Sequence, residues 1–190
     1  MAFQTSVTNV IAAGVPGELG LEGPLVAQPA RITSPDATQN LIARAYSVVS
    51  GSTGTPLAGD NGANPAPLVV RAGAATVTSV FAGILANPKT QVSYGTAAGG
   101  PFAPNFTLPN GAQGEFVTET AGIWVELPAA AAPGDNVSYT IATGALVTAA
   151  PGVAFPGSAA TNPIGRVERF VSTGANLALI SVRAGRTIST

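Results

Sequence analysis

Glycine and proline, 23 and 16 of them in 190 residues, recur along the whole chain and are not gathered into one linker. Each proline removes a backbone donor and fixes φ, and each glycine weakens a helix interior, so a long helix has little room to form. The intervals between them are short and rich in Val, Ile, Thr, Phe and Tyr, which is how strands bounded by turns read. The strands expected on this basis are 41–49, 67–71, 76–85, 90–94, 114–119, 123–127, 136–142, 146–149, 166–171 and 175–183. In 76–81 and 136–141 apolar and polar residues largely alternate, which puts one face on a core and one outward. Ile123, Val125 and Leu127 share a face in the same way. The alanines at 129–132 have helical propensity, but Pro128 and Pro133 bracket them. The expected fold class is all-β: a jelly-roll-like sandwich or barrel with an extended N-terminal arm.

Residues 1–40 differ from the rest. Pro16, Pro24, Pro29 and Pro35 break them up, yet Val10, Ile11, Val15, Leu19, Leu21, Leu25 and Val26 keep them apolar. A segment too broken for a helix and too apolar for a free tail reads as an extended arm laid on another surface, with 41–190 as the β-sandwich domain. The alternative is that 1–40 packs on its own domain as irregular edge structure. The Gly-rich stretch 51–66 reads as a long exposed loop.

The chain lacks both His and Cys. Proton shuttling by imidazole, thiolate chemistry and zinc–sulfur ligation are therefore closed to it. Carboxylates remain. Glu115 and Glu119, four apart on an expected strand, stand roughly 13 Å from each other. Glycosidase pairs are held roughly 5–9.5 Å apart. Glu119 and Glu126 could come closer through a hairpin at Ala121-Gly122. Solvated strand charges are the favoured account of these residues, and no G-x-S-x-G or P-loop spacing is present. The expectation is that the protein is not an enzyme and uses no cofactor or metal.

Only 9% of residues are charged and the net charge is −1, against about 25% charged in average soluble domains. Such a surface suits a chain largely covered by neighbouring subunits, because charge is depleted at the centre of interfaces. Nucleic acid would demand a clustered basic footprint, which is missing. No apolar run is long enough for a membrane helix. Seven Arg stand against one Lys, a skew toward the side chain suited to bidentate interface ion pairs. Of these, Arg166 and Glu168 are expected on one strand face and Arg169 on the opposite one.

Several short segments, taken in order, form a pattern. Ala12-Ala13-Gly14-Val15-Pro16-Gly17-Glu18 and Gly23-Pro24 come first, then Ile42-Ala43-Arg44-Ala45-Tyr46. Pro163-Ile164-Gly165-Arg166-Val167 and Ala178-Leu179-Ile180-Ser181-Val182 close it. The order resembles that of the structural cement, or decoration, proteins of tailed bacteriophages. The resemblance implies a jelly-roll-like domain on the outer capsid surface of the virion, made in the host bacterial cytoplasm. It further implies a homodimer or homotrimer bridging neighbouring major capsid proteins, without catalysis. The residues expected to meet partners are Val10, Ile11, Leu19, Leu21, Leu25, Arg44, Arg166 and Arg169. The competing reading is a tail-fibre or adhesin module that binds host-surface glycan. It needs exposed aromatic platforms, for which Trp124, Tyr94 and Phe102 are the candidates.

Overall fold

The structure, a computed structural model, describes residues 14–49, 69–72, 80–87, 107–157, 162–171 and 176–183. Among them are nine strands and one 3-10 turn at Ala37–Gln39. The strands are β1 (Val26–Ile32), β2 (Ala45–Val48), β3 (Val69–Arg71), β4 (Phe81–Leu85), β5 (Gln113–Glu126), β6 (Asn136–Tyr139), β7 (Leu146–Ala149), β8 (Gly165–Val171) and β9 (Leu177–Arg183). The chain is all-β, as its punctuated apolar runs imply. The expected strand at 90–94 and the loop at 51–66 lie outside the described residues.

Strand pairing divides the sheet into two parts that share β5. β1 pairs in parallel with β3 and antiparallel with β5, while β3–β2, β2–β4 and β4–β5 complete the circuit. Five strands therefore close into a small barrel. Each contributes to one interior cluster: Ala30 and Ile32 from β1, Tyr46 from β2, Val70 from β3, Ala82 and Leu85 from β4, Phe116 from β5. Tyr46 and Phe116 meet edge to face, with centroids 4.9 Å apart.

The second half of β5 continues into an open sheet in the order β5-β9-β8-β6-β7. Its inner face carries Ile123, Val125, Val137, Val167, Ala178, Ile180 and Val182, which pack on the outer face of the barrel at Ala45, Ile84 and Val117. The β6–β7 turn clips this packing shut: Ala45 N–H donates to Gly144 O (3.0 Å) and Arg44 Nη1 to Thr143 O (3.1 Å). Gly144 has φ +71°, and a Cβ there would run into Ala45 O, so only glycine fits.

One expectation is corrected here. The segments 114–119 and 123–127 are one continuous strand, and Ala121-Gly122 is not a hairpin turn. It is a bulge, at which the register with β9 shifts between Thr120 and Ile123. Glu119 and Glu126 are thus seven residues apart on one strand, roughly 20 Å by strand rise, and form no cross-strand pair. β1 lies within residues 1–40. Its Pro29 argues against a central strand, but among the described residues β1 is paired on its second edge only at Arg31 and Ile32. Ile32 N–H donates to Ala112 O on the β5 side, so alternation points position 29 away from β5, where a missing donor breaks no ladder bond.

Candidate functional site

Residues 14–20 form a strap that runs antiparallel alongside β5, on the edge opposite β9. Gly17 N–H donates to Trp124 O (2.7 Å), Trp124 N–H to Glu18 O (2.8 Å) and Gly20 N–H to Gly122 O (3.0 Å). Gly14 and Gly20 lie so near the indole that any side chain at either would overlap it. Trp124 is 7% exposed and Leu179, its cross-strand partner, 5%. The indole is sealed beneath the strap and cannot stack on a sugar. Tyr94 and Phe102 lie outside the described residues.

The chain then turns outward. Residues 21–27, Leu-Glu-Gly-Pro-Leu-Val-Ala, are all exposed, and Leu21, Leu25 and Val26 are each about half-exposed. A run of apolar side chains with one charge in water is the signature of a surface meant to be covered. Leu21 still touches the sheet, since a Cβ on Gly122 would stand 3.0 Å from both Leu21 Cγ and Leu179 Cδ1.

Cross-strand partners project to the same face, and three rows can be followed across it. Val26 pairs with Glu119, which pairs with Arg183. Trp124 pairs with Leu179, which pairs with Arg169. Arg166 lies opposite Ser181, between these two rows. Leu21, Val26, Arg166, Arg169 and Arg183 thus share the outer face, with apolar residues to one side and guanidinium groups to the other, Arg183 two and Arg166 and Arg169 three strand spacings from Val26, or roughly 10 and 15 Å. Arg166, Glu168 and Arg183 also line one hollow of ≈ 150 Å³ with Ser181 and Gly165.

The expected opposition of Arg166 and Arg169 is wrong for a local reason. The β8–β9 register shifts between Val167 and Arg169. Glu168 is the extra residue of a bulge, and the phase change brings Arg169 round to the face of Arg166. No glycine or proline marks this bulge.

The other expected partner residues fall elsewhere. Leu19 bridges to Ile123. With Val15, Glu18, Pro29, Gln113 and Glu115 it lines a groove of ≈ 690 Å³ on another side of the strap. Arg44 is half-buried, bonded to Thr143 O, and sits in a cleft of ≈ 260 Å³ with Glu126, Leu127 and Pro16. Val10 and Ile11 lie outside the described residues. Val26 and Arg183 join the face without having been expected there; the Val26–Glu119–Arg183 row depends on pairings between distant parts of the chain. Among the described residues no group of three or more acidic side chains is placed to hold a metal, and no helix is long and apolar enough to cross a membrane.

The family described as structural cement protein (E217 gp24/Pam3 gp6) matches residues 3–183, and this chain belongs to that phage family. Membership makes it a structural component of the virion. A chain in the solved structure of the capsid of Myoviridae phage XM1 has the same fold: TM-score 0.58, 16% identity, 96% of this chain and 98% of that one covered. No curated protein matches the sequence.

Proposed function

We propose that this protein sits on the outer surface of the capsid and bridges neighbouring major capsid proteins, non-enzymatically. The barrel and open sheet form the rigid body, and the apolar stretch before and into β1 reaches adjacent subunits, carrying Val10, Ile11, Leu19, Leu21 and Leu25. The single observation that carries this reading is the exposed run 21–27. Left uncovered, its apolar surface would favour aggregation. Repetition over a symmetric shell would multiply a modest affinity per copy.

The test is add-back of purified protein to particles that lack it, read as occupancy by electron microscopy and as the temperature at which shells rupture. Wild type should fill its sites and raise that temperature. The double variant Leu21→Asp/Leu25→Asp, altered only at half-exposed positions, should fold normally and leave the sites empty. Full occupancy by a correctly folded double variant would remove the apolar run from the mechanism.

A further inference from the structure

Resting on that reading, we infer that the capsid surface meeting this face carries carboxylates opposite Arg166, Arg169 and Arg183, beside the apolar patch that receives Leu21 and Val26. The argument starts from charge placement. Over the whole chain acids outnumber bases by one; on this face the three guanidinium groups gather on β8 and β9 with Glu168 among them and Glu119 opposite Arg183, while Glu126 stands farther along β5 and Glu22 in the exposed run. Arg166 and Arg169 are brought to one side only by the bulge at Glu168, and Arg183 joins them from the neighbouring strand. All three are exposed. Seven Arg to one Lys leaves this surface with the side chain whose planar fork can grip a carboxylate by two parallel bonds.

The spacing supports a bipartite contact. Two to three strand spacings, roughly 10–15 Å, separate the apolar side from the arginine side, so one partner surface can engage both. The apolar side would supply most of the burial, and the arginines register and on-rate. A basic or uncharged partner patch would leave the three arginines desolvated without compensation, which is unfavourable.

Particles lacking the protein, titrated with labelled protein over a range of salt, test this. Wild-type affinity should fall steadily with added salt, and Arg166→Glu/Arg169→Glu should bind at least about 10-fold more weakly with a flatter salt dependence. Leu21→Asp should bind weakly but keep the wild-type salt slope. If the arginine reversal binds as wild type does while Leu21→Asp/Leu25→Asp fails, the carboxylate inference falls and the cement reading stands. If wild type itself does not bind particles, both fall. Sedimentation without particles covers the remaining occupant, a second copy of this chain. Should the arginine reversal dissociate an oligomer, and Glu18→Arg/Glu115→Arg restore it, the arginines serve contacts between copies and the inference is overturned.

Discussion

Gly20 lies directly against Trp124: a Cβ at position 20 would stand 2.5 Å from Trp124 Nε1 and 2.6 Å from Leu179 Cδ1. The strap can seal the sheet only because this residue has no side chain. Trp124 is the single tryptophan of the chain, so its emission reports the strap alone. Gly20→Val should displace the strap, shift the emission to the red, expose the ring to quencher, and cost about 1–3 kcal/mol in denaturant unfolding. Unchanged emission would mean that the strap is not held by this contact.

Truncation separates the strap from the barrel. Deleting residues 2–20 removes the cover of Trp124 but leaves β1 whole. That protein should still unfold cooperatively, with red-shifted emission. Deleting 2–30 also removes most of β1, including buried Ala30 and the pairing with β5. The ring then opens, and cooperative unfolding should be lost. Circular dichroism during urea titration distinguishes the two.

Phe116 fills the barrel beside Tyr46 with none of its surface exposed. Phe116→Ala should destabilise the fold by about 3–5 kcal/mol. The midpoint of denaturant unfolding should fall while the m-value stays near that of wild type.

The polar lock on the barrel is a set of three side chains. Asn110 Oδ1 accepts from Ser34 N–H and from Asn40 Nδ2 (2.9 Å each), and Asn110 Nδ2 donates to Ser34 O (2.8 Å). Ser34 Oγ in turn accepts from Ala72 N–H (2.9 Å). Asn110→Ala strands buried partners at positions 34 and 40 and should cost about 1–3 kcal/mol. Hydrogen exchange at Ser34 should quicken first.

Burial pushes the Tyr46 hydroxyl well above its usual 10.0, with the charge of Arg44 pulling partly back. Below that value the hydroxyl is protonated in both folded and unfolded chains. Above it the unfolded chain ionises first, so stability falls as pH rises, by at most about 1.4 kcal/mol per pH unit from this group. Tyr46→Phe lacks this component. Its stability deficit relative to wild type, from the lost bond to Leu41 O (3.3 Å), should therefore shrink on going from about pH 9 to about pH 11. A deficit constant across that range would show that the hydroxyl titrates normally in the fold.

Much was legible in the chain itself. The punctuation by glycine and proline, with alternation such as Asn136-Val137-Ser138-Tyr139, specified β structure because a side-chain period of two leaves no helical face. The absence of His and Cys narrowed the available chemistry, and the scarcity of charge set the expectation of a surface covered by neighbours. These are local or compositional properties, and each holds before any distant segments meet. What only the tertiary structure decided was register. The bulges at Ala121-Gly122 and Glu168 set which way β5 and β8 present their later residues. Pro29 is tolerated because, among the described residues, no strand pairs with it on the side where its donor is missing. Trp124 is covered by a strap that arrives from a hundred residues upstream. Whether Arg166 and Arg169 share a face is a matter of one extra residue opposite a strand that follows later in the chain, and local sequence does not encode the phase of a partner it has yet to meet.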